Sequence, residues 1–238
     1  APDVKAFIQN FYDDGNHEHM VYPGMVYISH PTENGTLYTR KELADLSAVC
    51  REYDIPLFLD GARLGYGLAA AKLENYETLP SLQEIAELAD VFYIGGTKVG
   101  ALIGEAVVFT KNNMPKRFVT QIKRRGALLA KGFLLGTMFD VLFTDDLYMK
   151  NGMNGIETAR YLADGLRKLG CKFHMESPTN QQYLVLDNET MAKLSEKVGF
   201  SFWEKVDDTH TAIRFCTSWA TTKEKVDELL AIMAELSS

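Results

Sequence analysis

Four short apolar segments, separated by stretches of helical periodicity, constrain the fold of this chain more than any other feature of its sequence. They occupy residues 25–28, 56–59, 91–94 and 105–109. Uninterrupted apolar runs of this length are typical of strands buried on both faces of a parallel sheet. Between them, capping-box sequences begin helices at Thr39 and Ser81. The alternation of strand and helix predicts an α/β fold, in which the fourth strand could instead pair antiparallel.

The second half of the chain carries a different pattern, which predicts a smaller α+β unit. Residues 123–170 are mostly helical in periodicity, with an interruption near Asn151-Gly152. Helical patterns also lie at residues 187–198 and after the capping box that begins at Thr221. Residues 1–24 carry no pattern that assigns a structure to them. Short strand patterns occupy residues 172–175, 182–186, 200–203 and 212–215.

Composition excludes several classes of protein. The 238 residues are 46% hydrophobic and 24% charged, which is typical of a globular protein and not of a disordered or fibrous one. The net charge of −7 gives no basic surplus for nucleic acid or an anionic membrane, and no apolar run reaches the ~20 residues of a membrane span. The cysteines are too few for a disulfide framework or a zinc knuckle, and they favour a reducing, cytoplasmic compartment. They are Cys50, Cys171 and Cys216.

Polar clusters follow the first three predicted strands, at the point where each strand ends. They occupy residues 29–35, 60–63 and 95–100. Because ligands of an open α/β sheet bind beyond the carboxyl ends of the strands, we expect these clusters to share one binding edge. Asp60 is either a turn residue before Gly61 or a site carboxylate that Arg63 accompanies. No histidine or second carboxylate lies at ligand spacing from Asp60, so we predict no metal.

Lys98 follows the third strand, within the sequence Gly-Gly-Thr-Lys-Val-Gly. A solvated loop lysine is one interpretation, since most lysines are exposed. The sequence does not match a phosphate-binding P-loop or a dinucleotide fingerprint. A lysine near a carboxylate and an arginine instead indicates an amine nucleophile for carbonyl chemistry, with Schiff-base formation as the obvious case. Pyridoxal phosphate uses such a lysine, together with an acidic partner for its pyridine nitrogen.

Three parts of the sequence carry a resemblance to a known family. The block Asp60-Gly61-Ala62-Arg63, with Lys98 after the next strand, resembles the threonine aldolase group of the pyridoxal-phosphate beta-eliminating lyase superfamily. Residues 25–43 and 213–219 are similar to the same group, so the resemblance covers nearly the whole chain. It implies the aspartate aminotransferase fold. Residues 1–140 would be the C-terminal part of a large cofactor-binding α/β domain, and residues 141–238 a linking helix and a small α+β domain.

The resemblance implies a role for each matching residue. Lys98 would hold pyridoxal 5′-phosphate as a Schiff base, and Asp60 would pair with the pyridinium nitrogen. Arg63 would lie near the phenolic oxygen of the cofactor or near the substrate carboxylate. Arg214 would bind the α-carboxylate of an amino acid substrate, a role that suits its planar guanidinium; otherwise it is a strand-edge arginine.

Further residues have less definite roles under this resemblance. Thr97 can donate its hydroxyl to an anion, and Arg125 and Lys131 would face the cofactor phosphate unless they belong to a solvated basic helix start. The family often carries a histidine in the loop after the first strand, where this chain has Glu33, with His30 slightly earlier. Either His30 or Glu33 could take a proton or position a water.

The implied reaction is retro-aldol cleavage of L-threonine or a related β-hydroxy-α-amino acid to glycine and an aldehyde. Another β-eliminating lyase or an aminotransferase is the alternative among enzymes. No glycine-rich phosphate cup precedes Met25, so the chain looks like a family member that lacks its N-terminal portion. A catalytically silent fragment or assembly partner is therefore a further hypothesis. The family also implies a homo-oligomer, a dimer or a tetramer.

Overall fold

The computed structural model describes residues 1–236 and contains two four-stranded sheets packed against helices. The first sheet has the strands β1 (Val26–Ser29), β2 (Leu57–Asp60), β3 (Val91–Gly95) and β4 (Glu105–Phe109). The second sheet has the strands β5 (Lys172–Met175), β6 (Gln181–Asp187), β7 (Ser201–Lys205) and β8 (His210–Cys216). The helices are α1 (Pro2–Asp13), α2 (Arg40–Glu52), α3 (Leu64–Leu73), α4 (Leu82–Leu88), α5 (Phe118–Arg124), α6 (Phe133–Phe143), α7 (Leu147–Lys168), α8 (Asn188–Ser195) and α9 (Lys223–Leu236). All the predicted strands form, most of them shifted at an end by one or two residues.

The first sheet has the order β1-β2-β3-β4 and brings three strand ends to one edge. Strands β1, β2 and β3 run parallel, and β4 pairs antiparallel with β3. The structure confirms the α/β prediction for this half and selects the antiparallel alternative for the fourth strand. Ser29 lies opposite Asp60 in the pairing of β1 and β2, so the loops after these strands begin side by side.

Only one face of the first sheet is buried by the residues that the structure describes. Leu59 and Phe92 point into the core formed with α2, α3 and α4, and both are almost fully buried. Tyr27, Phe58 and Tyr93 occupy the opposite face, where their rings contact one another and Tyr27 is 54% exposed. The prediction of strands buried on both faces is therefore wrong within residues 1–236, because the apolar runs include an accessible aromatic face.

Two of the three predicted capping boxes form. The Thr39 hydroxyl accepts the Glu42 backbone N–H at 3.2 Å, and the Glu42 carboxylate accepts the Thr39 N–H at 2.8 Å. The same arrangement begins α4. The third prediction, a box at Thr221, is wrong: the helix start is one residue later, and the Thr222 hydroxyl accepts the backbone N–H of Lys225 at 3.4 Å.

Two helices of the first half, α1 and α3, are absent from the sequence prediction. Residues 64–71 of α3 are buried on every side, so no polar face produces the periodicity that marks a surface helix. Helix α1 lies in the segment without an assigned structure and buries Ile8 beside Val49 and Ile55. Helix α3 is thus specified by its contacts with the rest of the chain, whereas α1 also carries local helix signals, with Pro2 at its start and Asp3 in its first turn.

Helix α7 is continuous where the sequence predicts an interruption. It passes through Asn151 and Gly152, and the break in the helical region lies earlier, at Thr144–Asp146. The predicted break at Gly152 is wrong because this glycine lets α7 approach α3, where a Cβ would overlap the Gly65 carbonyl oxygen. Further along, Leu162 of α7 belongs to the core of the second sheet. The helix therefore lies in both cores, and the division at residue 140 stays a prediction.

We expect Gly152→Ala to destabilise the fold by about 1–3 kcal/mol, the usual cost of overpacking. The added methyl group would meet the Gly65 carbonyl oxygen, so α3 and α7 would have to separate. Gly136→Ala is the matched control, because Gly136 is also helical and has no atom within 4 Å of an added Cβ. In urea denaturation, the free energy of unfolding of the control should stay unchanged or rise by up to about 1 kcal/mol. Equal stability of Gly152→Ala and the unmodified chain would contradict this close packing.

The second sheet has the order β5-β6-β8-β7, is antiparallel throughout and matches the predicted α+β unit. Leu184 and Ile213 pack on one face, in a core shared with α7, α8 and α9. On the other face, Tyr183 lies opposite Arg214 in the pairing of β6 and β8. The Tyr183 hydroxyl donates to the Glu33 backbone carbonyl, beyond β1. The second sheet therefore meets the polar edge of the first.

Candidate active site

The site lies where the loops after β1, β2 and β3 meet the face of the second sheet. These loops carry Glu33, Arg63 and Lys98, and β8 carries Arg214. Arg63 Nη1 lies 3.3 Å from one Glu33 carboxylate oxygen, and Arg214 Nη1 lies 3.9 Å from the other. Asp60 and Lys98 are close enough for the charge of each to act on the pKa of the other. The fold thus brings these five predicted site residues to one edge.

The amine of Lys98 has a lowered pKa. The side chain is exposed at the cleft, but burial by the surrounding protein is the largest cause, and the positive charge of Arg63 acts in the same direction. The carboxylates of Glu33, Asp60 and Glu105 raise the pKa and offset only part of the shift. A lowered pKa gives more neutral amine at a given pH, and the neutral amine is the nucleophile that carbonyl chemistry needs.

The carboxylate of Asp60 is held in its ionised form. It accepts hydrogen bonds from the Tyr27 hydroxyl, from the Tyr93 hydroxyl and from the Ala62 backbone N–H, the last at 2.9 Å. Burial by itself would raise the pKa of this carboxyl, but these bonds and the charge of Lys98 outweigh it and bring the pKa below the ordinary value of 3.8. The bond to Asp60 is also the largest cause that raises the pKa of Tyr27 to about 12. Asp60 therefore offers a fixed negative charge to a cationic nitrogen.

Arg63 and Arg214 have more hydrogen-bond donors than the surrounding protein uses. Arg63 is only 8% exposed, and the exposed Glu33 carboxylate accepts its Nη1 protons at 3.3 and 3.4 Å. Arg214 donates to the Gln181 side chain at 3.0 Å and lies over the ring of Trp203. The Nε of Arg214 is buried without a hydrogen-bond partner in the part of the chain that the structure describes. Since an unpaired buried donor is costly, the arginine pair fits an anionic ligand such as a carboxylate.

His30 lies in the core and not in the cleft. It is 2% exposed, and its Nδ1 accepts the backbone N–H of Tyr38 at 3.3 Å. Burial lowers the pKa of the imidazole to about 4, so the ring is neutral near pH 7. Glu33, by contrast, faces the cleft between the two arginines. Glu33 therefore has better access to a bound substrate, and a catalytic role for His30 stays a prediction.

The structure does not bring the predicted phosphate ligands Thr97, Arg125 and Lys131 together with one another. Thr97 donates its hydroxyl to the Glu105 carboxylate at 3.2 Å, and this carboxylate also accepts the Gly96 backbone N–H. Arg125 and Lys131 follow α5, and both side chains are exposed. Neither forms an ion pair with another described residue, so their contact with a phosphate stays a prediction.

Several residues that shape the site do not stand out in the sequence. Tyr27 and Tyr93 each lie two positions before the end of a strand, and both bind the Asp60 carboxylate. Since side chains alternate along a strand, counting by twos across the aligned strands would place both tyrosines on the face of Asp60. Gln181 and Tyr183 come from a different sheet, and no signal in the sequence places them here.

Comparison with known proteins places this chain in a family. A family model for the beta-eliminating lyases matches residues 2–189. The chain belongs to the beta-eliminating lyase family. It is 28% identical over 212 residues to a low specificity L-threonine aldolase of Pseudomonas aeruginosa, a match that covers 89% of this chain and 59% of that protein. The chain thus spans about three fifths of the length of the curated relatives it matches.

Solved structures agree with this membership. A threonine aldolase of Leishmania major superposes with a TM-score of 0.91 at 37% identity, over 100% of this chain and 67% of that one. An archaeal O-phosphoseryl-tRNA(Sec) selenium transferase shares the fold, with a TM-score of 0.65 at 17% identity, over 98% and 55% of the two chains. The predicted threonine aldolase group and aspartate aminotransferase fold are confirmed. Among residues 1–236, no helix combines the length and apolar character that a membrane crossing requires.

Proposed function

We propose that the protein is a pyridoxal-phosphate-dependent lyase that cleaves L-threonine or related β-hydroxy-α-amino acids to glycine and an aldehyde. One observation carries this proposal: Lys98 and Asp60 lie close enough for their charges to interact, at the edge where the Glu33 carboxylate lies 3.3 Å from Arg63 and 3.9 Å from Arg214. The match to a low specificity L-threonine aldolase over 89% of the chain supports the substrate class.

The residues at this edge fit pyridoxal 5′-phosphate. Lys98 offers an amine for its aldehyde, and Asp60 offers a fixed negative charge for its ring nitrogen. Arg63 offers a cation for the phenolic oxygen or for the substrate carboxylate. When bound, the cofactor supplies an electron-accepting ring that stabilises negative charge on the α-carbon of an amino acid. The proposed phosphate ligands are Thr97, Arg125 and Lys131.

We assign Arg214 to substrate binding and Glu33 to proton transfer, on the basis of their positions in the site. Arg214 binds the substrate α-carboxylate through its planar guanidinium, whose Nη1 lies 3.9 Å from Glu33 in the site. Glu33 lies between Arg63 and Arg214, and its carboxylate accepts the proton of the β-hydroxyl, directly or through a water. As this proton leaves, the carbonyl of the aldehyde forms and the Cα–Cβ electron pair moves to the α-carbon. A proton from water then bonds to that carbon and completes glycine, and Glu33 releases to water the proton that it accepted.

Product analysis tests the proposal. The protein is incubated with pyridoxal phosphate and L-threonine, and glycine and acetaldehyde are expected in equal amounts. Ammonia or a keto acid would instead indicate a β-eliminating lyase or an aminotransferase. Because the chain spans 59% of the Pseudomonas aeruginosa relative, a cofactor titration of the 238-residue chain accompanies the assay. Binding that does not depend on Lys98 would overturn the proposal and favour a silent fragment or assembly partner.

We further propose a homo-oligomer, a dimer or a tetramer, in the cytoplasm. On helix α6, Phe133, Leu134 and Val141 are 67%, 53% and 53% exposed, and a second copy of the chain would cover such an apolar surface. The cysteines are free thiols, which fits a reducing compartment. The proposed partner is the small amino acid substrate. The net charge of −7 on the protein favours neither nucleic acid nor an anionic membrane as a partner. A monomeric mass by light scattering would contradict the oligomer.

Arg214→Lys is expected to raise KM for the amino acid by about 10-fold, with a smaller change in kcat, because lysine keeps the charge but loses the bidentate fork. The substitution also removes the contact between the guanidinium and the Trp203 ring. Steady-state kinetics measure the effect, and Arg51→Lys, at an exposed arginine in the last turn of α2, is the control. Equal KM values for the two variants would contradict carboxylate binding by Arg214.

A further inference from the structure

Buried tyrosines hold the backbone of the Lys98 loop, which comprises residues 95–100. Tyr66 of α3 donates its hydroxyl proton to the backbone carbonyl of Lys98. Tyr148 of α7 donates to the carbonyl of Gly95 at 2.8 Å. The two tyrosines are 1% and 4% exposed, so water does not replace these bonds readily. The backbone at Lys98 therefore depends on protein hydroxyl groups from two helices.

Tyr66 differs from Tyr148 because it also contacts the 217–221 segment, which follows β8. Burial raises the pKa of the Tyr66 phenol to about 12, and the backbone N–H of Trp219, which lies beside the hydroxyl, acts in the opposite direction. The Tyr66 ring packs against Gly155 of α7, so tightly that a Cβ at this glycine would overlap the ring. The carbonyl of Gly155 in turn accepts the Thr217 hydroxyl at 2.6 Å. Tyr66 thus lies between the Lys98 loop and the 217–221 segment.

The 217–221 segment is also anchored to α7. Asn154 Nδ2 lies 3.1, 3.2 and 2.9 Å from the carbonyl oxygens of Ser218, Trp219 and Thr221. The segment continues directly from β8, the strand that carries Arg214. A displacement at the end of this strand would therefore reach Tyr66 through the 217–221 segment.

We propose that Tyr66 is a positioning residue that couples the Lys98 loop to the 217–221 segment, so that the amine of Lys98 and the guanidinium of Arg214 keep a fixed relative placement. The proposal rests on the proposed functions of those two residues. A tyrosine hydroxyl can donate one hydrogen bond and accept another. Here one oxygen donates to the carbonyl of Lys98 in the loop and lies beside the backbone N–H of Trp219 in the segment. Its removal leaves the Lys98 carbonyl and the Trp219 N–H without this partner and loosens both together.

Tyr66→Phe tests the coupling, and Tyr148→Phe is its matched control. Each change removes one hydroxyl from a buried tyrosine that donates to the Lys98 loop. For Tyr66→Phe, we expect hydrogen exchange about 3- to 10-fold faster in both the loop and the 217–221 segment, the range that the loss of a net hydrogen bond allows. For Tyr148→Phe, whose hydroxyl also lies beside the backbone N–H of Gly65 in α3, faster exchange should leave the 217–221 segment unchanged. Unchanged exchange of the 217–221 segment in Tyr66→Phe would overturn the proposal.

Asn154→Ala acts from the other end and keeps the proposal testable if Tyr66→Phe does not fold. The side chain of Asn154 contacts the 217–221 segment, and none of its hydrogen bonds reaches the Lys98 loop. Under the proposal, exchange in the loop nevertheless becomes faster. Unchanged exchange there, or an equal increase at all amides of the protein, would overturn the coupling.

Trinitrobenzenesulfonate reacts with the neutral amine of Lys98. The pH dependence of this modification should change if Tyr66 positions the loop, and it should not change if Tyr66 only stabilises the fold. Displacement of the loop changes the distance of the amine from the charges that act on it, which are those of Arg63, Glu33, Asp60 and Glu105. We therefore expect Tyr66→Phe and Asn154→Ala to shift the midpoint in the same direction. An unchanged midpoint in both would overturn the proposal. Neither measurement uses the cofactor or turnover, so the two proposals fail independently.

Discussion

Lys98→Ala is expected to lower the cleavage of L-threonine by roughly 10⁴-fold or more, the upper end of what the loss of a proton-transfer group alone costs. Lys98 is the amine that lies near Asp60, and its pKa is lowered, whereas hydrogen bonds to carboxylates raise the pKa values of Lys5 and Lys193 on the surface. Alanine leaves no group at this edge that can bond covalently to an aldehyde cofactor. Attachment of the cofactor and turnover should therefore be lost together.

Absorbance measures the first of these effects directly. The protein loaded with cofactor should show a band near the edge of the visible range, and Lys98→Ala should lack it while its urea denaturation is unchanged. Lys197→Ala is the control, because Lys197 lies on the surface just after α8 and pairs with Glu235 of α9 at 2.9 Å. A Lys98→Ala protein that kept the band or the activity of the control would exclude the proposed role of Lys98.

The strand positions and the meeting of Asp60 with Lys98 could be predicted because they follow local rules. Apolar runs end where strands end, and parallel strands bring their carboxyl ends to one edge of the sheet. Asp60 and Lys98 are therefore neighbours in the fold although a helical stretch separates them in the chain. The capping boxes at Thr39 and Ser81 depend only on residues within one helical turn, and both predictions are confirmed.

What the sequence did not reveal depends on contacts between distant elements. Gly152 has the local character of a helix breaker, yet it lies within a continuous helix because a neighbouring helix needs the space. The hydroxyls of Tyr27 and Tyr93 reach Asp60 from neighbouring strands, which only the register of the sheet shows. His30 follows a strand end like the site residues, but its side chain turns into the core. Side-chain direction after a strand is thus set by tertiary packing.

Asp60→Asn is expected to lower kcat roughly 100-fold, because a hydrogen bond to a charged group is worth about 1.5–3 kcal/mol and each ~1.4 kcal/mol is tenfold in rate. An amide fits the same space, but its single oxygen can accept from either the Tyr27 hydroxyl or the Ala62 backbone N–H, which bind different oxygens of the Asp60 carboxylate. It offers no negative charge to hold a proton on the ring nitrogen of the cofactor. The loss should therefore appear in kcat, with KM changing less.

The stability of the protein at acidic pH provides a second test of the lowered pKa of Asp60, and the direction of the expected change is defined. Because its folded-state pKa lies below the ordinary value of 3.8, the ionised carboxylate contributes stability above the unfolded pKa, and this contribution is lost as the pH falls through the folded pKa. The free energy of unfolding of the unmodified chain should thus fall more steeply below about pH 4 than that of Asp60→Asn. Parallel curves for the two proteins would contradict the lowered pKa.

Tyr27→Phe separates the charge of Asp60 from the bonds that support it. This variant removes one hydroxyl donor and keeps the carboxylate, so the pKa of Asp60 should rise toward its ordinary value. Its kcat should fall less than that of Asp60→Asn, because the negative charge is still present near pH 7. An unchanged kcat in Asp60→Asn would mean that this charge has no part in the chemistry. Asp60 would then be the turn residue that its bond to the Ala62 backbone N–H at 2.9 Å also allows.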